Sequence, residues 1–238
     1  LSVGNSVALA IALSGGAKRI KLADHDTLDL SNLNRIRGSV TCLGLAKVEM
    51  TARQIYELNP YANVEVFADG LSDTTIDIFF DGLNIVIDEI DNLAVKYRIR
   101  EEAKKRKLPV LMAADNDRMG VIDVERYDLD PDLEFFHGKL RTMSYEDLQK
   151  LDKFGIGKTI ATLVGLENHT PRMLTSLTEM GKSVVSWPQL GATALLNGSL
   201  LAYAAFRISN KQPLIPERVV VAMDAHLDAD FNDKEMST

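Results

Sequence analysis

Cysteine occurs once in these 238 residues, as Cys42. A single thiol rules out an internal disulfide and any all-cysteine or CxxC zinc site. Also absent is an uninterrupted apolar run of the roughly 20 residues that a membrane-spanning helix needs, and no stretch resembles a signal peptide. Positive charge is in deficit: 27 Lys and Arg face 34 Asp and Glu, for a net charge of −7. A net negative body attracts neither nucleic acid nor an anionic membrane surface, so neither is expected as a partner. These absences together predict a cytoplasmic protein. Internal repeats and low-complexity blocks are missing as well. What remains is ordinary globular composition, 46% hydrophobic and 26% charged, long enough to bury a core as one large domain or two small ones.

The chain opens at Leu1 into a Gly-containing turn and helix with no strand before it, so the first strand is expected from upstream residues. Gly4 to Leu13 reads as a buried helix of small residues ended by Gly15–Gly16. Ile20 to Ala23 is a short strand delivering Asp24 at its end. Lys47 to Leu58 has helical periodicity and stops before Asn59–Pro60. Further strands are predicted at Val64–Phe67, Asn84–Asp88, Pro109–Ala113 and Gly120–Tyr127, with helices over 73–81 and 93–107. Strands alternating with helices indicate an α/β fold with a largely parallel sheet. Beyond about residue 128 the texture changes. A loop-like DLDPDLEFFHGKL leads to helical pieces over 144–182, an apolar helix Ala192–Ile208 and a final strand Arg218–Met223. The tail from Asp228 is polar.

Three groups of polar residues stand at or just after predicted strand ends, where open parallel sheets bind ligands. Asp24 follows Gly4 by 20 residues, the spacing at which a carboxylate reaches a ribose hydroxyl in dinucleotide-binding folds. Asn32, Arg35 and then Lys47 come next. Asp91 and Asn92 close the segment NIVIDEIDN. A carboxylate for ribose, cations for phosphate oxygens and a second carboxylate for Mg2+ are the residue types that ATP requires.

In order, D-x-D-x5-N-x2-R from Asp24, G-x-x-K ending at Lys47 and D-x-x-D-N ending at Asn92 resemble the ThiF/MoeB family of adenylating enzymes, relatives of the ubiquitin-activating enzymes. LNP at 58–60 and PVLMAADNDRMG at 109–120 add to the resemblance, which runs to about residue 127 and faintly into 189–208. It implies a Rossmann-like α/β fold with helices on both faces of the sheet. Residues 1–127 would form the nucleotide-binding core, and 128–238 a helical C-terminal extension packed on it. It also implies an ATP-dependent adenylyltransferase working as a homodimer, with a ubiquitin-like or small-molecule carboxylate as substrate. Carried over by position, Gly4 would approach the phosphates and Asp24 would bind ribose. Asn32, Arg35 and Lys47 would hold the triphosphate, and Asp91 would bind Mg2+. Arg35, Lys47 and Asp91 would then be the catalytic set.

The chain departs from the family pattern in several places. The Gly-rich turn stands as LSVG, with only Gly4 in the place of a family glycine. Paired CxxC motifs are missing, and no cysteine follows the adenylation motifs. Cys42 is read as a small apolar residue. ERYDLDPDLEFFHGKL through SWPQLG further resembles bacterial proteins joining a ThiF-like domain to a nitroreductase-like flavin domain. Two other readings stay open: a non-catalytic nucleotide-binding or dimerisation module of a larger protein, and an NAD-dependent dehydrogenase, which would leave Arg35, Lys47 and Asp91 unexplained. FGIGKT at 154–159 lacks the first Gly of a phosphate-binding loop, since Asp152 stands there, and is read as a turn before a helix. The run EEAKKRK at 101–107 is read as a solvated helix face, His137 as structural, and Trp187–Pro188 as a loop anchor.

Overall fold

The computed structural model describes residues 1–165, 168–180, 182–184 and 188–228. Trp187, the expected loop anchor, and the tail beyond Asp228 lie outside the described residues. The chain starts with helix α1 (Val3–Leu13), strand β1 (Arg19–Ala23), α2 (Lys47–Leu58) and β2 (Asn63–Phe67). A short α3 (Ile76–Phe80), β3 (Val86–Ile87), α4 (Leu93–Arg106), β4 (Pro109–Asn116) and β5 (Met119–Arg126) follow. Then come α5 (Tyr145–Gln149), α6 (Lys153–Val164), α7 (Pro171–Thr178), α8 (Gly191–Ser209), β6 (Arg218–Ala222) and α9 (Asp224–Leu227).

Parallel pairing joins β1 to β2 and, in a second sheet, β3 to β4. β5 and β6 then extend that second sheet antiparallel, in the order β3-β4-β5-β6. The β4–β5 connection is a hairpin, with Asp117 at φ 53 in its turn. Asn and Asp tolerate that left-handed backbone because their short side chains bond locally. β3 is shorter than Asn84–Asp88 suggests. The Asp88 N–H still reaches the Leu111 carbonyl at 2.8 Å, but its carboxylate turns inward to charged partners and the chain leaves the sheet.

Strand alternation puts helices on both faces. In β4, Leu111 and Ala113 join Val3 and Val7 of α1 and Ala194 and Leu201 of α8 on one face. Val110 points the other way, to Ile99 and Ala103 of α4. Every residue of β4 except Ala114 is buried, as expected of a strand covered on both sides. α1 and α8 cross closely at Gly198, where a Cβ would lie 2.5 Å from the Ser6 Cβ. Any larger residue there would force the two helices apart.

Two local readings change. FGIGKT is not a turn: it lies inside α6, whose first turn is capped by Asp152 accepting from the Gly155 N–H at 2.7 Å. The 101–107 run is only partly solvated. Glu102 and Ala103 are buried, Arg106 reaches Asp77 at 2.5 Å, and Lys104 donates to the Leu133 carbonyl at 3.0 Å. The segment Phe135–Gly138 is a tight turn in which Phe136, His137 and Gly138 all have positive φ.

Candidate functional site

The first turn of α1 lies against the ends of β1 and β3. Asp24 follows β1; its carboxylate is nearly buried and accepts from the Asp26 N–H at 2.8 Å. A carboxylate that caps its own turn is held in place, so its orientation is set before any ligand arrives. Gly4 stands in the first turn of α1, and a Cβ on it would come 3.8 Å from the Cβ of Glu89. Glu89, just past β3, accepts from the Ala113 N–H at 2.8 Å, and burial pushes its carboxyl up to about 8.

Asp91 is exposed and makes no ion pair among the described residues; next to it Asn92 caps α4 by accepting from the Val95 N–H. The partial positive charge at the start of a 14-residue helix favours an anion at that place. One open carboxylate suits Mg2+, which usually takes one or two carboxylates along with substrate phosphates. A second group of metal-capable side chains, Asp24, His25 and Asp26, lies close together, but Asp26 is already paired with Lys47.

Arg35 reaches the same place from the loop after β1. Its Nε donates to Ser2 Oγ at 2.8 Å, and one terminal nitrogen donates to the Ser31 carbonyl and to Asn34 Oδ1. Burial lowers its affinity for the proton, while the charges of Asp115 and Asp91 oppose that shift. Lys47, buried at the start of α2, donates to Asp26 at 2.7 Å, and its N–H bonds the Asp26 carbonyl. That hydrogen bond holds the Asp26 carboxyl below its ordinary range.

Asn32 sits in the turn Leu30–Asn32, and its side-chain oxygen accepts from the Asp29 N–H, closing a capping box. The amide that touches Arg35 is Asn34, which sequence reading passed over. Asp26 and Asp115 were missed as well. The second Asp of D-x-D was a visible signal for Asp26; nothing local marks Asp115. Cys42 ends a short turn beside Leu28, Ile36 and Met50, and a contact from Ser39 lowers its thiol.

The profile of the ThiF family matches residues 2–212. The chain belongs to the ThiF family. It is 37% identical over 228 residues to "Uncharacterized protein MT1398" of Mycobacterium tuberculosis, covering 96% of this chain and 32% of that protein. To a "Probable molybdopterin-synthase adenylyltransferase" of Porphyra purpurea it is 26% identical, over 86% of this chain and 50% of the relative. This ThiF-family chain thus spans half or less of those two proteins. Its fold resembles the crystal structure of PaaA, with TM-score 0.66 and 16% identity over 97% of this chain and 59% of that one. It also resembles E. coli MccB with ATP, at TM-score 0.61 and 15% identity over 94% and 58%. Among the described residues no helix is long and apolar enough to cross a membrane.

Proposed function

We propose that this chain binds ATP at the start of α1 and adenylates a carboxylate. The observation that carries the reading is the convergence of Arg35, Asp24, Gly4 and the Glu89–Asp91 segment on that turn, with Lys47 held by Asp26 nearby. In this reading a substrate carboxylate oxygen attacks the α-phosphorus of ATP. The bond between that phosphorus and the bridging oxygen to the β-phosphate breaks, and pyrophosphate leaves with the electron pair. The products are an acyl-adenylate and pyrophosphate.

Asp24 accepts from the ribose hydroxyls, and Asn32 with Arg35 holds the phosphates. Arg35 and Lys47 face the charge that grows on the phosphoryl oxygens, where fixed cations lower the barrier most. Asp91 would hold Mg2+, which neutralises phosphate charge when bound. The support for ATP is the family, together with MccB, a fold neighbour seen with ATP. For the acyl substrate, the support is that MccB was also seen with MccA, and that another relative is named as a molybdopterin-synthase adenylyltransferase. A protein C-terminus or a small carboxylic acid fits this chemistry. In domain terms, residues 1–127 would carry the nucleotide and 128–238 brace it.

The test is ATP–pyrophosphate exchange with Mg2+ and candidate carboxylates. Radiolabel should enter ATP only when a carboxylate is present. A second reading has a specific basis: Arg35 and Lys47 are both bonded to protein groups. If they stay so, the chain is a nucleotide-binding module without catalysis. ATP then binds, and exchange stays at background with every carboxylate.

We also propose a homodimer through the outer face of α8. Leu195, Tyr203 and Phe206 are each about half exposed there, and the last two rings stack with centroids 6.1 Å apart. Light scattering at micromolar concentration should give twice the 26.3 kDa of one chain. Tyr203→Glu should return it to a single chain; a wild-type monomer would refute this interface.

A further inference from the structure

Arg35 is bonded directly to Ser2, Ser31 and Asn34, and Asn34 links it to a distant part of the chain. Asn34 donates its amide N–H to the Gln189 carbonyl at 3.0 Å, while its oxygen accepts from the Arg35 guanidinium at 2.8 Å. Both ends of the Asn34 amide are thus committed, so the group has one orientation. The Gln189 side chain donates to Asp115 Oδ2 at 3.3 Å, and Asn197 of α8 donates to Asp115 Oδ1 at 2.6 Å. Asp115 and Asn197 are buried at the ends of β4 and within α8. The backbone is pressed together at the same place. A Cβ on Gly191 would lie 2.2 Å from the Asn34 carbonyl oxygen and 3.8 Å from the Arg35 Cα.

We propose that Gln189, Gly191 and Asn197, with Asp115 and Asn34, position Arg35 so that its second terminal nitrogen is presented to a phosphate group. This rests on the reading of Arg35 as a phosphate ligand. The contacts with Ser2, Ser31 and Asn34 occupy Nε and one terminal nitrogen, and the other carries none of these bonds. The charge of Asp115 favours the protonated guanidinium. A long side chain ordered before binding loses less entropy when the ligand arrives, so preorganisation appears as affinity. The start of α8 is then a working part of the nucleotide site, not only a cover for the sheet. None of these five residues needs to touch ATP; each acts through Arg35.

A double-mutant cycle on the full chain separates this from a merely structural role. ATP affinity is measured calorimetrically for wild type, Asn34→Ala, Arg35→Ala and the double variant, with thermal melts of each. Asn34 is exposed, so Asn34→Ala should melt like wild type yet bind ATP about five- to tenfold more weakly, as expected for one lost hydrogen bond. In the Arg35→Ala background the same change should have no further effect. Equal weakening with and without Arg35 would overturn the proposal, as would unchanged affinity in Asn34→Ala. Exchange of the Arg35 Nε proton, followed by 15N NMR on arginine-labelled protein, needs no nucleotide. It should quicken in Asn34→Ala and in Gly191→Ala. If wild type binds no ATP, the adenylation reading fails. The proton exchange then decides whether the network orders Arg35, and unchanged rates reject it.

Discussion

Arg100→Ala should lower the unfolding free energy by about 3–5 kcal/mol, the usual cost of removing one partner from a buried ion pair. The side chain is fully buried on α4 between two acids. It pairs with Asp88 at the end of β3 and with Glu125 of β5 at 2.9 Å, and its guanidinium lies 4.1 Å from the Phe136 ring centroid. Glu125 also accepts from the Tyr127 hydroxyl at 2.6 Å and the Phe136 N–H at 2.7 Å, and Lys96 donates to Asp88 at 3.2 Å. Burial alone would raise the Asp88 carboxyl, but Lys96 and Arg100 outweigh it and hold it below its ordinary range.

Without Arg100, Lys96 is the only remaining cation bonded to Asp88 among the described residues, and Glu125 keeps the neutral donors Tyr127 and Phe136. In the variant burial of Asp88 is opposed by Lys96 alone, so its carboxyl should titrate above its unfolded value. The sign follows from proton binding: the folded form then holds protons more tightly, so stability should recover as pH falls. Urea unfolding at pH 7 and pH 5 measures both effects. Arg100→Met keeps most of the volume and should lose a similar amount, because the defect is the unpaired charge. A loss under about 1 kcal/mol in both variants would mean that these charges are not buried together.

Lys47→Ala should slow ATP–pyrophosphate exchange about a hundredfold while changing ATP affinity little. A contact that matters only as charge develops in the transition state costs roughly 3 kcal/mol when lost. Two further variants set the contrast. Asp24→Ala should weaken nucleotide binding with or without Mg2+, since a ribose contact does not need the ion. Asp91→Ala should lose the Mg2+ dependence selectively. The non-catalytic module predicts a different pattern, with Lys47→Ala altering affinity alone. Lys47→Arg sharpens the comparison, because a bulkier planar cation bonded to Asp26 keeps the charge but moves it.

Much of this was legible in the sequence, for reasons that are local. Helix α2 runs over Lys47–Leu58, the stretch its apolar periodicity and the following Asn59–Pro60 mark out. Asp24 and Asp91 stand just past strands because a run of apolar β-formers ended where the polar residues began. The order of acid, amide and cation carried the family resemblance, and with it the fold. Asn92 capping α4 is likewise a one-residue rule expressed within one turn.

Other features depend on residues far apart in the chain. Asn34 meets Gln189 across 155 positions and Asp115 meets Asn197 across 82. No periodicity links such pairs, and one Asn in SNLNR looks much like the other. Asn32 turns back on Asp29, whereas Asn34 turns to Arg35, because α8 presses its Gly191 backbone against that loop. The same holds for the 101–107 run, whose charges read as solvated until the fold brings Asp77 and the Leu133 carbonyl to them. Short-range steric and hydrogen-bonding rules determine where each element starts and what it carries to its end. Which side chains then share buried space is decided only by packing, since an ion pair or a backbone contact exists only once the chain has closed around it.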